Sequence, residues 1–175
     1  VAFAKKEGGR SMFRGVPSII DVEASGFGAG SYPIEIGVVL DDGSRYCSLI
    51  APAEEWTFWK EEAEQVHHIS REMLHKHGKP LKEVAEELNA FLSGQTVYSD
   101  GWVVDSPWVR QLYYTAHIDQ AFKVSSLEMI LTEPQMKIWH ETKDVLLQNC
   151  QHKRHRASFD ALIIQQTFVK TAQLI

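Results

Sequence analysis

The alternation of apolar and polar residues divides the chain into short strands first and helices interleaved with strands later. Ser18-Ile19-Ile20-Asp21-Val22-Glu23 is apolar and β-branched and runs into the turn-rich segment Ala24 to Ser31, which predicts a buried strand. A second strand is expected over Ile34 to Leu40, Asp41-Asp42-Gly43 supplies a turn, and a third strand follows from Arg45 to Ile50, so the first three strands form an antiparallel meander. Helical spacing begins at Glu61 to Val66. It is stronger over Lys82 to Leu92, where Val84, Ala85, Leu88, Phe91 and Leu92 share a face before Gly94 stops the helix. Thr96-Val97-Tyr98 reads as a fourth strand. Ser106-Pro107 reads as an N-cap with proline at the first helical position, opening a helix through about Thr115. Phe122 to Ser125 reads as a fifth strand, and a last helix is expected from Ser158 to about Thr171, with Ala161, Leu162, Ile163 and Ile164 on a broad apolar face. This order predicts an α/β fold, a mixed sheet with helices packed on it.

Composition bounds that picture. At 175 residues, 44% hydrophobic and 23% charged, the chain suits one core and one domain, expected over residues 17–175. Residues 1–16 mix Lys, Gly and Arg without a period and are set aside as an N-terminal extension or leader. No apolar run approaches the roughly 18 to 20 residues that span a bilayer, and no basic-then-apolar signal pattern opens the chain, so no membrane association is expected. Cys47 and Cys150 are too few for a disulfide scaffold and form no CxxC pair, which points to a reducing cytoplasm. With 18 Lys and Arg against 23 Asp and Glu, the formal net charge of -5 argues against a protein that grips nucleic acid through a broad positive surface.

The most informative local feature is Asp21-Val22-Glu23, because a strand sends residues i and i+2 to the same face. Two carboxylates side by side on a strand that otherwise favours burial repel each other and resist desolvation. A hard divalent cation with oxygen ligands, Mg²⁺ or Mn²⁺, would remove the conflict; a strand end open to water is the plainer alternative. Asp105 precedes the expected helix start and follows the apolar run Trp102-Val103-Val104, so it lies near the end of the sheet, as a helix-start acid or as a ligand. In His155-Arg156-Ala157-Ser158-Phe159-Asp160 a loop offers a histidine, and the first turn of the last helix offers an acid five positions on. A histidine of ordinary pKa, about 6.5, suits general-base work near neutrality, although each of the two residues alone also reads as a surface histidine and a helix N-terminal acid.

Taken in order, these segments resemble the DEDDh exonucleases, a 3′–5′ exonuclease family that includes proofreading subunits of DNA polymerases, ribonuclease T and oligoribonuclease. Asp21-Val22-Glu23-Ala24-Ser25-Gly26 is similar to the first family motif, Asp105 to the acid of the second, and His155 with Asp160 to the His-x-x-x-x-Asp of the third. Pro33-Ile34-Glu35-Ile36-Gly37-Val38 on the second strand supports the match, as does Val66-His67-His68-Ile69, which is similar to a Val-His-Gly-Ile segment of many members. Two positions depart from the pattern: Gly101 stands where many members carry Asn, and His68 replaces the Gly.

The resemblance implies a ribonuclease-H-like fold, a mixed five-stranded sheet flanked by helices. It implies two divalent ions, Mg²⁺ or Mn²⁺, held by Asp21, Glu23, Asp105 and Asp160, with His155 as general base, and release of nucleoside 5′-monophosphates from single-stranded DNA or RNA 3′ ends. It places substrate contacts at Ala24, Ser25, Phe27, His68 and Arg156, the last within the basic run His152-Lys153-Arg154-His155-Arg156, and it is compatible with a homodimer. For Phe27 the competing expectation is a ring that caps the core, and for Trp102 and Trp108, which flank Asp105, it is core packing. A catalytically silent nucleic-acid-binding or adaptor module with the same fold is the alternative function, and hydrolysis of another phosphodiester is a third.

Overall fold

The computed structural model describes residues 13–148, 150 and 155–175. Three strands, β1 (Ile19–Ala24), β2 (Pro33–Val39) and β3 (Arg45–Leu49), form the expected meander. Gly43 turns between the second and third at φ 86°, and Ser44 N–H donates to Asp42 Oδ1 at 2.8 Å. Two further strands, β4 (Thr96–Ser99) and β5 (Lys123–Ser126), add in parallel beyond β1, which gives a mixed five-stranded sheet in the order β3-β2-β1-β4-β5. The helices are α1 (Glu61–His67), α2 (Arg71–His77), α3 (Leu81–Leu92), α4 (Trp102–Ala116), α5 (Glu133–Gln148) and α6 (Ala157–Leu174). No helix among the described residues is long and apolar enough to cross a membrane.

The period-2 geometry of the central strands sorts their side chains between two cores. Ile20, Val22, Ile34, Ile36 and Val38 pack with Val84 and Leu88 of α3 and with Val109 and Leu112 of α4. Ile19 and Val39 face the other way and pack with Trp139 of α5 and Ala161, Ile164 and Phe168 of α6. Asp21 and Glu23 share the parity of Ile19, and Glu35 and Gly37 that of Val39, so the strand acids stand on the sheet face that α6 covers.

Two parts of the helical layer depart from expectation. The helix carrying Asp105 does not open at Ser106: it begins at Trp102 with Gly101 in the N-cap position, and Pro107 lies inside it. Pro107 forfeits a hydrogen bond to the Val103 carbonyl, which is tolerable because Val103 is 78% exposed and water can reach that oxygen. Trp102, Val103 and Val104 accordingly form an exposed first helical turn instead of a run leading into the sheet. Helices α2 and α5 are absent from the hydrophobic pattern. The first is one short segment whose N-cap, Ser70, accepts from Met73 N–H at 3.1 Å, with only Leu74 buried. The second buries only Gln135, Trp139 and Leu147 along sixteen residues, too thin a stripe to read as amphipathic.

Candidate functional site

The functional side chains converge where the C-terminal ends of the parallel neighbours β1 and β4 meet the start of α6. From β1 come Asp21 and Glu23; from the first turn of α6 comes Asp160. One carboxylate oxygen from each lies within 4.8 Å of the others. Asp105, from the first turn of α4, is buried beside this triad, with its Oδ2 accepting the Ser99 hydroxyl of β4 at 2.6 Å. Ser99 Oγ in turn accepts Gly101 N–H at 3.0 Å, so one hydroxyl sets both the acid and the helix start. Asp21, Glu23 and Asp105 line a cleft of about 390 Å³ that also includes Ala24, Phe27, His67, Trp108 and His155.

The electrostatics are those of clustered acids whose burial and mutual repulsion disfavour their ionised forms. Burial, then repulsion from Asp105, Glu23, Asp160 and Asp100, holds the Asp21 carboxyl well above the usual carboxylate range. Burial and the neighbouring Asp160 and Glu35 push Glu23 up to about 9. Asp105 is pushed up to about 7 by burial, against the Ser99 hydrogen bond that lowers it. Asp160 is raised by burial, partly offset by the His155 backbone N–H that it accepts at Oδ1, 3.2 Å away. Among the described residues, the buried Oδ2 of Asp21 has no hydrogen-bond partner. An orphaned carboxylate oxygen amid acids of raised pKa, in a triad whose converging ligand atoms are all carboxylate oxygens, fits a hard divalent cation.

His155 stands at the edge of the cleft in the left-handed backbone region, φ 63°, which is strained for a residue with a Cβ. Of the run His152-Lys153-Arg154-His155-Arg156, residues 152–154 lie outside the described residues. Phe27 is 65% exposed at the cleft mouth and so does not cap the core. Ala24 lines the cleft. Ser25 is buried behind it, its backbone N–H donating to Tyr32 O at 3.0 Å and its hydroxyl accepting Tyr32 N–H at 3.1 Å, so both groups hold the loop closed. Trp108 lines the cleft while packing partly on the main core, whereas Trp102 lines an adjoining groove.

Two expected contacts fall elsewhere. His68 caps the C-terminus of α1 at φ 58° and faces outward beside Glu61, Glu64 and Ser70; the adjacent His67 occupies the cleft wall instead. One residue of helical rotation, about 100°, suffices to exchange them. The His67 Nδ1 accepts Ile69 N–H at 3.0 Å and burial lowers its pKa, so the ring is neutral with its proton on Nε2. The Arg156 guanidinium is paired with Glu35 of β2 at 2.6 Å. Asp100 also lines the cleft, bridged to Lys143 of α5 at 2.9 Å. From the sequence Glu35 enters only as part of the Pro33 to Val38 match and Asp100 carries no role; the signal for Glu35 is an acid enclosed by Pro33-Ile34 and Ile36-Gly37 in an otherwise apolar strand.

No protein-family model matches the chain, and no curated protein matches it in sequence. Solved structures match it in fold. E. coli Exonuclease I in complex with a dA16 oligonucleotide is similar with TM-score 0.68 and 13% identity over 92% of this chain and 42% of that one. A product-bound structure of exonuclease I gives TM-score 0.65 and 14% identity over 93% and 45%. A moderately thermophilic Exonuclease I from Methylocaldum szegediense gives 0.56 and 14% over 71% and 29%. The chain thus spans less than half the length of these chains. What it shares with them is the ribonuclease-H-like arrangement of a mixed five-stranded sheet with flanking helices.

Proposed function

We propose that the chain is a divalent-metal-dependent 3′–5′ exonuclease domain that releases nucleoside 5′-monophosphates from single-stranded DNA or RNA ends by two-metal-ion hydrolysis. The observation that carries this reading is the convergence of Asp21, Glu23 and Asp160, with Asp21 Oδ2 buried and unpartnered among the described residues, beside a cleft that Asp21 and Glu23 line together with His155. A fold shared with exonuclease structures supports it. Asp21, Glu23 and Asp160 would hold one cation, and Asp105 with Asp21 a second. Such ions supply Lewis-acid stabilisation of charge on the attacking and leaving oxygens.

The remaining work belongs to the chain. An imidazole nitrogen of His155 takes the proton of the attacking water. The water oxygen bonds to phosphorus, the bond from phosphorus to the 3′ oxygen breaks, and the terminal nucleotide departs as its 5′-monophosphate. Exposed Phe27 offers a ring on which a terminal base stacks, and Ala24, the last residue of β1, borders the same space beside a loop that Ser25 keeps closed.

The test is digestion of matched 5′-labelled single-stranded DNA, RNA and dinucleotides with Mg²⁺ and with Mn²⁺. Stepwise loss of 3′ nucleotides is expected, abolished by EDTA and by Asp21→Ala. Intact oligonucleotide in both metals would sink the reading, and tight binding without turnover would favour a silent nucleic-acid-binding module.

A further inference from the structure

Glu35 has no evident part in the chemistry, yet its side chain is fully buried at the centre of β2. An ionised carboxylate at such a place requires full compensation. Three donor groups supply it. Arg156 Nε lies 3.1 and 3.0 Å from its two oxygens, and Arg156 Nη2 lies 2.6 Å from Oε2, a forked pair. The third comes from Ala157 N–H, the first backbone donor of α6, which bonds Oε1 at 2.7 Å. Helix α6 has no side-chain cap of its own at Arg156, so a residue from the sheet satisfies an amide that the helix leaves open.

The backbone contact beneath this pair is as close. A Cβ on Gly37 would lie 2.2 Å from the Ala157 carbonyl carbon and the Ser158 nitrogen, so only glycine lets the start of α6 rest against β2. The residues flanking the clamp are His155 on one side and, a helical turn later, Asp160 on the other. Glu35 also lies opposite Glu23 in the β1–β2 register, where an uncompensated charge would add to the repulsion within the triad.

We infer that Glu35 and Arg156 form a positioning clamp, which seats the start of α6 on β2 and thereby sets both His155 and Asp160 against the acids of β1. Arg156 serves the site through Glu35 and not by gripping a substrate phosphate. The inference rests on the exonuclease reading for its activity measurements, and metal affinity provides a readout independent of turnover.

The experiment compares wild type, Arg156→Lys and the double variant Glu35→Met with Arg156→Met. The double variant removes both charges together, so no buried ion is left unpaired. Steady-state kinetics on a labelled single-stranded oligonucleotide are measured beside Mn²⁺ affinity by calorimetry. The double variant is expected to lose about 10- to 100-fold in kcat, as a small displacement of reacting groups does, with KM within about twofold of wild type. Its Mn²⁺ affinity is expected to fall about 10-fold or more, as when a group orienting a ligand is removed. Arg156→Lys, which keeps the charge but loses the fork, falls between the two and supplies the same parameters if the double variant does not fold. Wild-type kcat and Mn²⁺ affinity in these variants would overturn the clamp, as would a raised KM with unchanged kcat, which makes Arg156 a phosphate contact. If wild type cleaves nothing, the exonuclease reading fails alone, and the clamp then stands or falls on the Mn²⁺ affinities.

Discussion

At the scale of single residues, Asp21 carries a plain conflict: a buried carboxylate repelled by four other acids, with one oxygen unpartnered among the described residues. Asp21→Asn removes a charge from that repulsion while keeping the shape. The metal-free protein should therefore be more stable than wild type at pH 8, while cleavage and Mn²⁺-induced stabilisation are lost; urea melts with and without Mn²⁺ measure both. His155 contributes its ring and not a carboxylate, so His155→Ala should lower kcat by about 10²- to 10⁴-fold and leave Mn²⁺ affinity near wild type. Phe27 makes the opposite case. Exposed at 65%, it supports no core, and Phe27→Ala should leave the melting temperature unchanged. The loss of about 1–3 kcal/mol of base stacking should appear as a rise in KM for single strands.

At the scale of elements, the site depends on how α6 meets the sheet. Gly37→Ala would drive a methyl into the Ala157–Ser158 backbone, which cannot rotate away as a side chain could. We expect a cost of about 3 kcal/mol, the upper end for overpacking, together with lost activity, because the same displacement moves Asp160. Circular dichroism melts and the oligonucleotide assay on one preparation separate unfolding from misplacement: a folded Gly37→Ala protein with full activity would contradict this account of helix seating. Helix α4 shows that an element's start can matter more than its length. Beginning at Trp102, it carries Asp105 in its first turn, where the Ser99 hydroxyl at the end of β4 reaches it.

At the scale of the whole molecule, the acidity of the site couples metal, pH and stability. Glu23 at about 9 and Asp105 at about 7 hold protons in the folded chain that the unfolded chain has already released above the usual carboxylate range. The folded state therefore binds more protons, and metal-free stability must fall as pH rises, fully present below the ordinary carboxylate values and lost up to about pH 9. A divalent ion replaces those protons, so the gain in melting temperature on adding Mg²⁺ should grow between pH 5 and pH 8, reaching about 2–4 °C for each kcal/mol restored. A gain independent of pH would mean that the cation binds elsewhere. The net charge of -5 belongs to the same argument: two divalent ions would offset the four site acids, and the loaded cleft would repel phosphate far less.

The strands, the meander and the strongest helices were legible because each is declared locally: period-2 runs ended by turn residues, or a repeated apolar face as in Val84 to Leu92. The side-by-side projection of Asp21 and Glu23 follows from the same periodicity. What the sequence determined alone was thus how each stretch repeats and that two acids of one strand share a face. The start of α4 lies four residues before the Ser106 that the sequence suggests, because proline suits a first turn and is equally tolerated inside a helix whose unpaired carbonyl water can reach. Helices α2 and α5 have too few buried positions to announce themselves, and they are held by what they pack against. His67 rather than His68 faces the cleft because one residue of rotation at the end of α1 decides the direction of two identical side chains. Only the tertiary structure joins Glu35 to Arg156 across 121 positions and brings Asp160 to within 4.8 Å of the β1 acids. Such meetings depend on the seating of α6 against Gly37, a contact between distant backbones that no local pattern encodes.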